Sequence, residues 1–163
     1  MKKKNSLKLM LAFVTITIMT GCTKSIHTSV DIKASRQDTW KTLTDFQKYP
    51  QWNPFVRKLK GDVVPGQVIQ VQIQPEGGNP MDFKPTVLQY EENRILEWEG
   101  HLLMPGIFTG KHSFILEEIG PNETRLIQKE NFQGILIPFF SFEGTENGFK
   151  SMNRKLKKRV ENL

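Results

Sequence analysis

The sequence predicts an α+β domain in which a curved antiparallel sheet of about seven strands grips one long C-terminal helix. Three observations carry this prediction. Between Val68 and Gln74, Ile69, Val71 and Ile73 alternate with Gln70, Gln72 and Gln74, which describes a strand with one dry face and one wet face. Further strand-like runs continue to Phe132, separated by turns rich in Gly, Pro and Asn. From Gly144 to Leu163, Phe149, Met152, Leu156 and Val160 fall at helical spacing, an apolar stripe that needs a sheet to lie on.

Taken in order, a strand near Ile26–Ala34 comes first. A helix follows, capped by Ser35 or Asp38, with Trp40, Leu43 and Thr44 on its inner face. The stretch Leu43–Phe55 then crowds Tyr49, Trp52 and Phe55 together, with Pro50 and Pro54 between them. Proline fixes its own φ and pushes the preceding residue out of the helical region, so this stretch reads as a short helix, a bend and an exit into a strand. Rings so concentrated at a bend need a concave surface to pack against. Phe55–Val63 is the second strand, closed by Val64-Pro65-Gly66, and Val68–Gln74 is the third. Pro75–Pro80 is a loop. Met81–Glu91 and Arg94–Leu103 form a hairpin around Glu92-Asn93, which sets Glu91 against Arg94, Val87 against Trp98 and Phe83 against Leu102. Met104–Phe108 is an apolar loop. Gly110–Ile119 and Glu123–Phe132 form a second hairpin through the three-residue turn Gly120-Pro121-Asn122. The apolar connector Gly134–Phe142 leads into the terminal helix.

The N-terminus reads differently. Lys2, Lys3, Lys4 and Lys8 precede an apolar core from Leu9 to Met19, and Thr20-Gly21 bring small residues to the edge of Cys22. This is the pattern of a secretory signal peptide, too short and wrongly flanked for a spanning helix. Met19-Thr20-Gly21-Cys22 resembles the lipobox of bacterial lipoproteins, which implies a diacylglyceryl group on Cys22 and an exported, membrane-anchored protein of the cell envelope. The expected organisation is therefore a leader over 1–21, a lipidated cysteine and polar tether over 22–29, and one folded domain over 30–163. Cys22 is the single cysteine, so no internal disulfide is available. The domain must stand on packing alone, which a chain of this length can do.

The formal net charge of +6 belongs largely to the leader: without its four lysines, 19 basic residues face 17 acidic ones. Six of those 19 lie in the last helix, at Lys150, Arg154, Lys155, Lys157, Lys158 and Arg159. They read as a solvated face, the other reading being contact with anionic lipid headgroups. An exported chain without a recognition motif argues against nucleic acid as a partner.

Several motifs together resemble the SRPBCC (START-like, helix-grip) superfamily, and within it the polyketide cyclase/dehydrase-like branch. They are Trp40-x-x-Leu43-x-Asp45-Phe46, Tyr49-Pro50-x-Trp52-Asn53-Pro54-Phe55, Gly106-Ile107-Phe108-x-Gly110-x-His112-x-Phe114, and Thr124-Arg125-x-x-Gln128-x-Glu130-x-Phe132-x-Gly134. The resemblance implies a helix-grip fold with a hydrophobic cavity between sheet and terminal helix. The apolar inventory suits such a cavity. Trp52, Phe55, Val71, Phe83 and Trp98 are its candidate lining, together with Phe114, Gln128, Phe132 and Phe149; Met104–Phe108 and Ile135–Phe142 are the candidate rim, because apolar loops need a reason to be apolar.

Strand parity supplies the most informative polar pair. His112, Phe114 and Leu116 share one face of their strand, and Leu126, Gln128, Glu130 and Phe132 share one face of the next. Pairing Ile119 with Glu123 sets His112 across from Glu130 and Phe114 across from Gln128. A His112–Glu130 pair facing the cavity is therefore expected, as a structural pair before a catalytic one. The histidines are dispersed and there is no second cysteine, so spacing offers no metal site. No phosphate loop, nucleophile elbow or zincin motif is present, and no cofactor is expected. The favoured reading is a monomeric, membrane-tethered lipoprotein that binds a small hydrophobic molecule or lipid. A polyketide cyclase/dehydrase-like enzyme using His112 or Glu130, and an interaction module with a filled core, remain as alternatives.

Overall fold

The computed structural model describes residues 22–162. Eight strands and a long helix follow the expected order. They are β1 (Cys22–Ile32), α1 (Arg36–Leu43), the single-turn α2 (Tyr49–Trp52), β2 (Val56–Lys60), β3 (Gln70–Ile73), β4 (Met81–Phe83), β5 (Thr86–Glu91), β6 (Ile95–Leu102), β7 (Phe108–Gly120), β8 (Glu123–Gly134) and α3 (Glu143–Val160). The leader expected over Met1–Gly21 lies outside the described residues. No described helix is long and apolar enough to cross a membrane.

All strand pairs are antiparallel. Five strands run in the order β1-β8-β7-β6-β5 and three in the order β2-β3-β4. The two ladders join where the chain entering β3 meets the start of β5: Ile69 N–H donates to Pro85 O at 2.9 Å and Val87 N–H to Gln67 O at 2.9 Å. The result is one curved sheet around α3. Phe149, Met152, Leu156 and Val160 of α3 are buried against it, as the helical stripe predicts, and Asn153 Nδ2 donates to Thr28 Oγ1 of β1 at 3.0 Å.

Three expectations need correction. Residues 23–29, read as a tether, belong to β1, which begins at Cys22 and pairs with β8 from Cys22–Gly134 to Ile32–Thr124. Pairing is a backbone property, and the otherwise unpaired edge of β8 recruits this polar segment despite its side chains. The strand read as continuous over Met81–Glu91 is interrupted at Lys84-Pro85. Proline offers no N–H to a ladder, and β4 pairs with β3, so Phe83 lies opposite Val71 and not Leu102. Val87 does face Trp98, but Glu91 faces Ile95 rather than Arg94, and a bulge between Val87 and Gln89 absorbs the one-residue difference. In the β7–β8 turn, Gly120 pairs with Glu123 and Ile119 is left in a bulge, while the expected register holds throughout the strands.

The bend is built as its composition requires. Ser35 caps α1, its Oγ accepting from Asp38 N–H at 3.1 Å. Tyr49 is fully buried, and its hydroxyl donates to Leu43 O at 2.6 Å. Phe46 and Trp52 flank its ring edge-on at 5.4 and 5.3 Å. Asn53 Oδ1 then accepts from the N–H groups of Phe55 and Val56, turning the chain into β2.

Candidate ligand cavity

The sheet face that holds α3 is longer than the helix covers. Beyond the start of α3 it encloses a cavity of about 480 Å³. β3 and β4 contribute Val71, Ile73 and Phe83, β6 contributes Trp98, and β7 and β8 contribute Phe108 and Phe132. The roof comes from Phe140, Ser141, Phe142, Gly144 and Thr145 at the start of α3. The loop after β3 closes against this roof, with Glu76 N–H donating to Gly144 O at 3.2 Å. The cavity reaches the surface where its lining residues Met81, Leu102 and Phe140 are exposed.

The wall is largely apolar, with Asp82, His101, Ser141 and Thr145 also on it, and one registered polar pair stands in it. His112 and Glu130 are registered partners on β7 and β8, with Nδ1 and Oε2 2.6 Å apart. The carboxylate accepts, so Nδ1 carries the proton and Nε2 faces the Gln128 amide at 3.4 Å. The imidazole is held on three sides by rings. Trp98 stacks on it at 4.9 Å, and Phe114 and Phe149 meet it edge-on at 4.5 and 5.0 Å. The Glu130 side chain keeps 14% of its surface exposed, against 3% for His112, so the carboxylate is the accessible member. Its Oε1 lies over Gly110, where an added Cβ would stand 2.6 Å away, so the glycine leaves the space that the carboxylate occupies. A buried carboxylate needs such partners, because desolvation without them is costly.

Of the residues expected to line the cavity, Phe55, Val71, Phe83, Trp98, Phe108 and Phe132 do so. Five others lie elsewhere. Trp52 packs against Tyr49 on the outside of the bend, and Met104 is exposed on the β6–β7 loop. Phe114 of β7 and Gln128 of β8 are fully buried beneath α3, deeper on the same sheet face, and Phe149 is fully buried on the underside of α3 itself, where helix and sheet leave no space between them. Gln128 Nε2 reaches Met152 Sδ of that helix at 3.7 Å. The connector expected at the rim contributes Phe140, Ser141 and Phe142, whereas Gly144 and Thr145 have no counterpart in the expected lining. Two helix glycines, Gly144 and Gly148, were the available signal that something approaches the start of α3 closely. Among the described residues no cluster of three or more His, Cys, Asp or Glu side chains is placed to hold a metal ion.

Cys22 is exposed at the start of β1. It shares a surface groove with Lys24, Ile137, Pro138, Phe140 and Phe142. Phe140 and Phe142 also line the cavity, so they separate the groove from it.

A family model described as polyketide cyclase / dehydrase and lipid transport matches residues 23–163. No curated protein matches the chain in sequence. Among solved structures, a START superfamily protein from Mycobacterium smegmatis is similar at a TM-score of 0.65 and 19% identity, over 85% of this chain and 98% of its own. A protein from Mesorhizobium loti is similar at a TM-score of 0.65 and 18% identity, over 86% and 98% of the two chains. A point mutant of norcoclaurine synthase from Thalictrum flavum, in complex with a transition-state analogue, is similar at a TM-score of 0.64 and 16% identity, over 87% and 96%. At these identities the likeness establishes the helix-grip fold.

Proposed function

The chain belongs to the polyketide cyclase/dehydrase and lipid transport family, and we propose that it is an envelope lipoprotein, anchored through Cys22, that holds one small hydrophobic molecule or lipid. The observation that carries this reading is the cavity of about 480 Å³ with largely apolar walls in which the hydrogen-bonded His112–Glu130 pair is set. Pockets of roughly 300–1,000 Å³ with few, well-placed polar groups are the usual form of small-molecule sites. A domain working only through its outer surface has no use for such a space, which counts against the interaction-module reading. The wall chemistry asks for a ligand with an apolar body and one hydrogen-bond donor, set against the Glu130 carboxylate. The anchor rests on the lysine-rich, apolar leader and the lipobox-like Met19–Cys22.

Native mass spectrometry of the processed domain, purified from its host, tests the binding reading. The expected result is a co-purifying apolar mass in one-to-one ratio, lost when Trp98 is replaced by Glu in a protein that still folds. A clean unliganded mass, unchanged across lipid and polyketide-like mixtures, overturns it. The anchor is tested separately by fatty-acid labelling in cells, which is expected to disappear in Cys22→Ser.

A second reading is favoured by one observation. The His112–Glu130 pair stands beside space for a substrate, the arrangement that proton transfer to or from a carbonyl-bearing chain requires. Here Glu130 is the group within reach of substrate, and His112 orients it. Turnover of such a chain that survives Glu130→Gln unchanged rules out this assignment.

A further inference from the structure

The end of the molecule that carries Cys22 also carries its most exposed large apolar side chains. The β6–β7 loop presents Leu103 and Met104, 78% and 59% exposed, and the connector after β8 presents Phe139, 80% exposed. The two segments are fastened together: Ile135 N–H donates to Gly106 O and Leu136 N–H to Ile107 O, each at 3.2 Å. At the join, Gly134 has φ +148°, and an added Cβ would lie 2.2 Å from Ile107 O. Leu103 itself sits at φ +70°, a conformation in which glycine or asparagine is the easier choice. An apolar side chain kept in water at a strained position calls for a partner.

The chain itself indicates that partner. Cys22 pairs with Gly134, the residue next to Ile135, and β1 is laddered to β8 over its whole length, so no slack separates the cysteine from the domain. A lipid on Cys22 therefore emerges beside the apolar patch. Phe140 lines both the Cys22 groove and the cavity, and Leu102 and Phe108 continue the patch into the cavity wall. The basic residues of α3 from Arg154 to Arg159 stand toward the other end, where Lys157 Nζ donates to Asp31 O near the close of β1; Lys150, nearer the helix start, is paired with Glu146. An 11-residue strand spans roughly 35 Å, so those lysines and arginines stand well away from the anchored surface. The end that an anchor would hold against a bilayer is the apolar end.

We propose that Leu103, Met104, Ile135, Phe139 and Phe140 seat in the bilayer that holds the Cys22 lipid, so that the cavity opens into lipid and its ligand exchanges with the membrane without crossing water. This rests on the lipid-anchored reading above. The basic end of α3 then faces away from the membrane.

The test uses the full chain, made in a bacterium that processes lipoproteins and reconstituted in vesicles of phosphatidylethanolamine and phosphatidylglycerol. Leu103→Cys, Phe139→Cys and, at the far end, Lys155→Cys each receive a thiol-reactive nitroxide, and intact mass counts the labels. Collision with dissolved oxygen and with a water-soluble nickel chelate then reads the depth of each probe. The expected result is no label on the unsubstituted chain and one on each variant. Nickel accessibility is lost at 103 and 139 on passing from detergent to vesicles and retained at 155. Equal nickel accessibility at all three positions, with the unsubstituted chain unlabelled, overturns the seating and leaves the anchor standing. A label on the unsubstituted chain shows a free Cys22 thiol and overturns the anchored reading and the seating together. Two probes on separate segments keep the test decisive if one substitution disturbs its loop.

Discussion

His112 and Glu130 face one another across β7 and β8, Nδ1 to Oε2 at 2.6 Å, inside a largely apolar wall. The imidazole is enclosed by rings, so its N–H has no water to turn to if the carboxylate is removed. Glu130→Leu is therefore expected to lower stability by about 1–3 kcal/mol, the cost of a buried donor left unpaired. Glu130→Gln keeps an acceptor at the same reach and loses less. Urea midpoints at constant slope measure both. Equal losses in the two variants would show that hydrogen bonding to His112 is not what Glu130 contributes.

The cavity makes a separate prediction. Ile73 of β3 is half-buried on its wall and has space before it. Ile73→Trp is expected to fill that space and abolish co-purification of an apolar ligand while leaving the circular dichroism of the domain unchanged. A ligand retained in full stoichiometry would place the binding site elsewhere.

Sequence legibility followed the range of the interaction that fixes each element. The β7–β8 register was readable because side-chain parity and a Gly-Pro-Asn turn are local, and these put His112 opposite Glu130. The extension of β1 over Cys22–Ser25 was not readable, since its partner is the backbone edge of β8, more than a hundred residues away. The switch of β4 to β3 was signalled by Pro85 alone. Cavity lining was legible as to face and illegible as to depth. Phe114 and Phe132 lie on the same inner face, yet α3 covers the first and stops short of the second. Parity carries no information about where a distant helix begins.

Near that helix start, Gly148 lies under the ring of Phe55. A Cβ at 148 would stand 2.2 Å from Phe55 Cδ2 and 2.9 Å from its Cε2. Alanine gains about 1 kcal/mol of helix propensity over glycine. Overpacking of this kind costs about 1–3 kcal/mol, so the net effect of Gly148→Ala is expected to be destabilising. Phe55→Leu withdraws the ring, and the double variant is expected to recover part of the loss. A double-mutant cycle on thermal or urea unfolding reads the coupling. Additive effects would show that the two residues do not constrain one another.

Tyr49 supplies the pH dependence. Its phenol is fully buried, and burial, assisted by the negative charge of Asp45, pushes its pKa far above the ordinary value of about 10. A folded pKa raised above the unfolded one means that the unfolded chain releases this proton first. The stabilisation is therefore complete below about pH 10 and declines as pH rises beyond it. Tyr49→Phe removes the titrating group together with the hydrogen bond to Leu43 O. At neutral pH the variant is expected to be less stable by about 1 kcal/mol, for that bond. Between about pH 9 and about pH 11 the gap is expected to close and then reverse, because only the tyrosine form loses stability to phenol ionisation. Urea midpoints of both proteins across that range decide the matter: a gap that stays constant means Tyr49 ionises equally in the folded and unfolded chain, which a phenol buried between Phe46 and Trp52 should not do.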